Sequence, residues 1–444
     1  MPRNLLRSIG LVSAVALVPA VSAAIAAADV DTYRELDQFM SVFERVRAEY
    51  VDKVDDKTLL KGAIEGMLSS LDPHSSFMDT RDVEGMRTQT EGAYGGLGLQ
   101  VTMEDQTVKV IAPMEDTPGA RAGIKSGDYI THIDGQLLFG TSLDEAVDKM
   151  KGRAGTQIRL TIVRPGRDRP FDLTLTRETI HLRPVKWEVK DQVGIININT
   201  FVNQGTGAAV RDAIAGIRRS LGHDPLGYVV DLRSNPGGLL TQAIEVSDAF
   251  LERGQIVSQR GRNAQDIEVA NATPGDDAHG LPIIVLIDAG SASAAEIVAG
   301  ALQDHHRALV MGERSFGKGS VQTLLPLSDT TALRLTTARY YTPSGRSVQE
   351  GGIQPDIEVP QLTDPDYKSR PRLREADLRR HLINEANVTD DVLEDDAKTD
   401  PRFGQTIEQL RTAGVTDFQL TYAVRALSRL AQAQPAGAAP RTGK

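Results

Sequence analysis

The chain has no cysteine, which removes disulfides, thiol nucleophiles and thiolate metal sites together. An excess of basic residues is also missing: 50 Lys and Arg stand against 60 Asp and Glu, a formal net charge of -10. That balance argues against a nucleic-acid polyanion as main partner, because binding one needs clustered cations that release counterions. No metal-ligand spacing, Walker-type phosphate loop or nucleotide fingerprint occurs, so neither metal nor cofactor is expected. Long apolar runs are absent except for one over residues 9–25, which follows Arg3 and Arg7 and ends in small residues. It reads as an export signal over residues 1–28, cleaved after Ala23 or Ala28. Its length approaches that of a span, so a retained N-terminal anchor is the alternative, and only then would a membrane be a partner.

What is present divides into segments, since 444 residues exceed one ordinary core. In residues 29–90, Leu36, Phe39, Phe43, Val46 and Tyr50, then Leu60, Ile64, Met67 and Leu71, recur at helical spacing. The spacing predicts two amphipathic helices, ended by Asp72-Pro73. Their wide apolar face needs another subunit or the next domain to cover it. Residues 91–178 change to short β-rich runs (97–102, 107–111, 129–133, 157–163, 171–176) around one helix at 142–150. In residues 179–360, apolar runs at 194–198, 228–232, 283–287 and 308–311 alternate with helical stretches at 207–221, 239–251 and 293–303. This alternation predicts an α/β core with a mainly parallel sheet, followed by an antiparallel pair at 320–327 and 332–341. Residues 361–433 are charged, with helices expected at 375–385, 406–411 and 418–433. Residues 434–444 are expected to be disordered.

Three segments could carry chemistry. Asp288-Ala289-Gly290-Ser291-Ala292-Ser293-Ala294 leads from an apolar strand into a helix, where free N–H groups and the helix dipole favour a developing oxyanion. A serine in that place is also a common helix cap. Lys318 lies between Gly317 and Gly319 and opens an apolar strand. A lysine desolvated there loses its proton more easily and can deprotonate a serine, and Gln322 returns to the same strand face to orient it. Asp231-Leu232-Arg233-Ser234-Asn235-Pro236-Gly237-Gly238 ends another strand, and its glycines allow backbone N–H groups to approach a ligand.

Together with Leu71-Asp72-Pro73-His74-Ser75-Ser76, Gly95-Gly96-Leu97-Gly98 and Tyr340-Tyr341-Thr342-Pro343-Ser344-Gly345-Arg346, these segments resemble the carboxy-terminal processing peptidases, PDZ-containing serine proteases. The resemblance covers residues 33–359. It implies a crotonase-like α/β core with an inserted PDZ domain and helical terminal segments. It implies Ser293, 25 positions before Lys318, as nucleophile, Lys318 as base and Gln322 as its partner. The oxyanion hole would fall on the N–H groups of Ala294 and one of the two glycines, Gly238 before Gly237. The PDZ loop of Gly96, Leu97 and Gly98 would receive a terminal carboxylate, Leu99 would pair with the peptide, and Val147 and Met150 would wall its last side chain. Where the family often has a third serine, this chain has Ala295. Expected partners are proteins or peptides with free C-termini, a lipoprotein adaptor and further copies of the chain, in the periplasm.

Histidine offers the commoner serine-protease base. His305 and His306 follow the Ser293 helix and suit its C-terminus, and His74 sits in a turn. Two other functions compete. One is an inactive PDZ receptor for C-terminal tails, which needs a lost nucleophile or base. The other is an acyl-coenzyme A hydratase or hydrolase, which an export signal and a PDZ domain oppose.

Overall fold

The computed structural model describes residues 18–433 apart from 115, 368, 371 and 386–402. Most of the expected signal segment and all of the expected disordered tail at 434–444 therefore lie outside the described residues. The chain divides into two units, Met1–Leu71 and Asp72–Lys444. The first contains α1 (Val18–Glu49) and α2 (Asp56–Ser69). Asp55 caps α2, accepting the N–H groups of Lys57 and Thr58. Tyr33, Leu36, Phe39, Leu60 and Met67 are exposed. Among the described residues no helix is long and apolar enough to cross a membrane.

The second unit starts with β1 (Ser76–Met78), α3 (Thr80–Glu91) and β2 (Ala93–Gly96). A β-rich module follows: β3 (Leu99–Glu104), β4 (Thr107–Pro113), α4 (Pro118–Arg121), β5 (Tyr129–Ile133), β6 (Gln136–Leu137), α5 (Leu143–Met150), β7 (Gln157–Val163) and β8 (Phe171–Thr176). The sheet order is β3-β4-β5-β7-β8 with β6 on β5, so β3 is an edge strand. Asp105 and Gln106 both have positive φ, the geometry that joins two antiparallel strands in the shortest loop. Alternate residues of the strands, among them Val108, Val110, Ile158, Leu160 and Ile162, point into the core under α5. β9 (Glu178–His181) returns to pair with β2, closing the module at its base.

The remainder is the expected α/β alternation: β10 (Val185–Lys190), β11 (Val193–Ile198), α6 (Thr206–Leu221), β12 (Tyr228–Asp231), α7 (Leu240–Asp248), β13 (Gln255–Arg260), β14 (Ile267–Asn271), β15 (Ile283–Ile287), α8 (Ala294–Asp304), β16 (Leu309–Gly312), β17 (Ser320–Pro326), β18 (Ala332–Tyr341) and β19 (Ile357–Glu358). The main sheet runs β10-β11-β12-β15-β16-β19 and is parallel except for β10. Its two faces follow the two-residue strand period. Ile196, Ile198, Val230, Val285 and Ile287 pack against α6, α7 and α8. Ile195, Val229, Ile284 and Leu286 meet the C-terminal helices α9 (Ile407–Thr412) and α10 (Phe418–Ala433) through Leu410, Phe418, Val424 and Leu427. A second, antiparallel sheet runs β1-β18-β13-β14 with β17 on β18; the sequence indicated only its β17–β18 hairpin.

The expected helix at 375–385 is a single 3-10 turn, Glu375–Asp377. Tertiary contacts override its helical composition. The Glu375 N–H bonds Phe316 O at 3.1 Å, and its buried carboxylate meets His74 Nε2 at 2.9 Å and Gln349 Nε2 at 3.1 Å.

Arg233, just beyond β12, ties α10 to the sheet. It donates to Asp231 at 2.6 and 2.8 Å, to Asp417 at 2.8 and 3.0 Å and to Gln419 at 3.0 Å. Removing one partner of a buried ion pair leaves uncompensated charge. We expect Arg233→Ala to cost roughly 2 kcal/mol, below the fully buried case, because the Asp417 side chain keeps 31% exposure. A urea melt followed by fluorescence of Trp187, the single tryptophan, measures it.

Candidate active site

Three neighbouring parallel strands, β12, β15 and β16, send their C-terminal loops to one edge of the main sheet. Such an edge is where open α/β sheets place their ligands. The β15 loop carries both candidate serines. Ser291 is fully buried; its hydroxyl donates to Leu232 O at 2.8 Å and accepts the Asp288 N–H at 2.9 Å. Ser291 is thus built into the turn. Ser293 is half-buried, with φ 54 and ψ -113, a region costing about 1–3 kcal/mol for a residue with a Cβ. At the start of α8 it is the Ser293 backbone N–H that is held firmly, by Glu296 Oε2 at 2.7 Å. Of the two, Ser293 is the hydroxyl left for chemistry.

The β16 loop carries Lys318, which is half-buried. Its Nζ donates to Gln322 Oε1 at 2.6 Å. The Gln322 amide nitrogen is committed to Ser320 Oγ at 3.0 Å and Thr336 Oγ1 at 3.2 Å, so its oxygen must face the amine. Thr336 Oγ1 in turn donates to Asp72 Oδ1 at 3.1 Å, and Asp72 also accepts from His74 N, Ser75 N and Ser75 Oγ. The segment 72–75 is therefore the outer support of the lysine's partner. Burial pushes the Lys318 amine below its usual range; Glu375 opposes this, Arg334 reinforces it, and Glu296 and Asp72 oppose it less strongly. Among the described residues no hydrogen bond joins Lys318 Nζ to the Ser293 hydroxyl.

The β12 loop brings Gly237 and Gly238. Both have positive φ, 92 and 148. A Cβ on Gly237 would lie 2.9 Å from both Ala294 N and Ser293 Cβ, and one on Gly238 would lie 2.2 Å from Phe201 C. The Gly237 N–H is already spent on Asn235 Oδ1 at 2.9 Å, so it is not a free donor. The N–H groups of Gly238 and Ala294 make no hydrogen bond among the described residues. They are the pair available to an oxyanion.

Glu296 is the residue that reading the sequence missed. It is fully buried and binds both functional loops, accepting Ser293 N–H at 2.7 Å and Lys318 N–H at 3.0 Å. The Ser293-x-x-Glu296 spacing of a helix capping box was the available signal. The histidines lie elsewhere. His305 Nε2 bonds Gln255 O at 2.7 Å, His74 faces Glu375, and His306 is the positive-φ residue ending the α8 turn. Among the described residues no three His, Asp or Glu side chains cluster to hold a metal.

In the β-rich module, Leu97 and Met150 are core residues, and Leu99 and Val147 are half-buried at its margin. The N–H groups of Leu97 and Gly98 bond to nothing among the described residues, whereas Leu97 O accepts Gly119 N–H and Gly98 O accepts Met114 N–H, each at 2.8 Å. Gly96 closes β2, opposite Glu178.

Comparison with known proteins assigns these parts. Residues 192–359 match Peptidase family S41, residues 109–164 a PDZ domain, and residues 18–82 the activating protease CtpB N-terminal domain. A carboxy-terminal-processing protease of Bartonella bacilliformis is 52% identical over 354 residues, 79% of this chain and 81% of that protein. A probable CtpA-like serine protease of Staphylococcus epidermidis is 31% identical over 331 residues, 74% of this chain and 65% of its own longer length. The solved photosystem II D1 C-terminal processing protease aligns over 78% of this chain and 98% of that one, at 29% identity and TM-score 0.43. The parts define a serine-type peptidase with a PDZ domain. The chain belongs to the carboxy-terminal-processing proteases of peptidase family S41.

Replacing Gly238 by alanine forces a methyl into the Phe201 backbone and displaces one of the two free N–H donors. Loss of one oxyanion donor lowers kcat about 10²–10³-fold, and we expect that fall for Gly238→Ala in a steady-state peptide-cleavage assay.

Proposed function

We propose that this protein is an exported serine endopeptidase that takes C-terminal tails on its PDZ domain and cleaves them with Ser293 and Lys318. The observation that carries this reading is the setting of Lys318: an amine pushed down by burial, oriented by Gln322, in a loop hydrogen-bonded to the same carboxylate as the Ser293 backbone. The neutral amine takes the Ser293 proton as Oγ attacks the peptide carbonyl, and the oxyanion forms against the Gly238 and Ala294 N–H groups. The resulting ammonium returns the proton to the departing amine, leaving an ester on Ser293, and Lys318 then deprotonates the water that hydrolyses it. The amine bonds Gln322 and not Ser293. Catalysis on this reading therefore includes a tightening of the Ser293–Lys318 pair when peptide binds. The paired backbone donors at adjoining loops are the feature a crotonase-like core would share.

Tail recognition rests on the unpaired Leu97 and Gly98 N–H groups, which suit a terminal carboxylate, and on the open edge of β3, which suits an added peptide strand. Leu99 and Val147 sit at that margin. The basic-then-apolar start of the sequence supports export to the periplasm, with membrane attachment if the segment is retained. The exposed apolar residues of α1 and α2 support assembly with further copies of the chain. A lipoprotein adaptor belongs to the same proposal.

Ser293→Ala and Lys318→Ala are each expected to lower cleavage of an unfolded protein at least ~10³-fold while tail-peptide binding persists. Undiminished proteolysis by folded Ser293→Ala would overturn the assignment. Amidating the substrate's terminal carboxylate should raise KM and leave kcat nearly unchanged. Since the deprotonated amine is the working form, activity should fall as pH drops below the depressed Lys318 value, which a pH-rate profile of kcat/KM reads directly.

A further inference from the structure

Glu296 stands one helical turn after Ser293 with none of its surface exposed. Its Oε2 accepts Ser293 N–H at 2.7 Å and Lys318 N–H at 3.0 Å. Its Oε1 accepts Ser315 Oγ–H at 2.5 Å and Gly317 N–H at 2.7 Å. Three of these partners are main-chain donors that cannot reverse. The fourth, Ser315 Oγ, also accepts the Ile353 N–H at 2.6 Å and gives its own proton to Glu296. A carboxylate satisfies all four as donors; a carboxylic acid must either set its O–H against a main-chain N–H or reverse the Ser315 bond. The carbonyls of the same two residues are also gathered to one point, since the Tyr340 hydroxyl lies against Ser293 O and Lys318 O.

We propose that Glu296 is a positioning residue whose ionised carboxylate holds the nucleophile turn and the lysine loop in register, and that protonating it uncouples the two. The inference rests on the Ser293–Lys318 reading. Few other contacts span the junction, Phe316 N–H to Ser291 O at 3.0 Å among them. Ser293 is held at positive φ, so loss of its N–H bond lets that backbone relax away from the reactive geometry. Burial pushes the Glu296 carboxyl up to about 7, against the four hydrogen bonds that favour the ion. The titratable groups facing it are the Tyr340 hydroxyl from β18 and the Lys318 amine, with Glu375 of the C-terminal segment beside both.

The sign of the effect separates it from acid unfolding. The folded value lies above the ordinary 4.5, so between the two the folded chain holds more protons than the unfolded one, and this group's contribution to stability declines as pH rises through that window. Activity needs the ion and is lost in the opposite direction, as pH falls through about 7.

The test compares full-length wild type, Glu296→Gln and Ser315→Ala on a peptide with a free C-terminus, recording kcat, KM and thermal midpoint from acid to alkaline pH. Glu296→Gln, which presents N–H donors to donors, should lower kcat about 10²-fold with KM within a few-fold of wild type, and should flatten the pH dependence of the midpoint between about 5 and 7. With Lys318 setting one acid limb and Glu296 a second, Ser315→Ala, which removes one bond to the ion, should move the Glu296 limb of kcat toward alkaline pH by roughly half to one unit and leave the Lys318 limb in place. Wild-type kcat in Glu296→Gln, beside an inactive Ser293→Ala, would overturn the clamp and leave the Ser–Lys reading standing. If Glu296→Gln fails to fold, as judged by tail-peptide binding and circular dichroism, Ser315→Ala decides: a Glu296 limb that does not move sinks the proposal.

Discussion

A carboxylate without water around it is tolerable only when its lone pairs all meet donors. The catalytic half of this chain is organised about one such group. Glu296 draws main-chain N–H groups from the start of α8 and from the loop before β17 onto two oxygens. Each loop alone is a short excursion from the end of a parallel strand; the shared carboxylate makes them one surface. The desolvation that makes Glu296 expensive also lowers the proton affinity of Lys318, so a dry interior serves both groups while raising one carboxyl and depressing one amine.

Support for the site is layered outward in hydrogen bonds. Lys318 leans on Gln322, Gln322 on Thr336, and Thr336 on Asp72. A second line runs from the Gly319 N–H to Gln349, from Gln349 to Glu375, and from Glu375 to His74. Both lines end in the segment 72–75, far from the lysine in sequence. The turn Asp72-Pro73-His74-Ser75 thus has a role that its position after a helix does not disclose, and β1 pins it to β18. Fixing the outer groups fixes the rotamers of the inner ones.

Much of this was legible before any coordinates. The α/β alternation and the β-rich module follow from local patterns, and the candidates Ser293, Lys318 and Gln322 from short motifs whose family resemblance singled out Ser293 over Ser291. What escaped depends on partners far apart. Capping-box spacing links Glu296 to Ser293 alone, since its second loop lies some twenty positions on. The resemblance favoured Gly238 over Gly237, and the Asn235 bond shows why: it spends the Gly237 N–H. The charged stretch after Arg374 has the composition of a helix, yet Glu375 is drawn inward by His74 and Gln349. The three-residue β1 is too short for any two-residue rhythm to announce it.

The ion pair between Arg233 and Asp417 has a bearing on the order of assembly. The two residues are 184 positions apart, and the arginine sits a few residues before Gly237 and Gly238. As the polypeptide emerges, its serine, lysine and glutamine are all made before the aspartate that steadies the glycine loop. A partial chain ending short of Asp417 would hold every reactive side chain but lack α10 against the back of the sheet. The glycine loop thus gains its tie to α10 only once nearly all of the chain has been made.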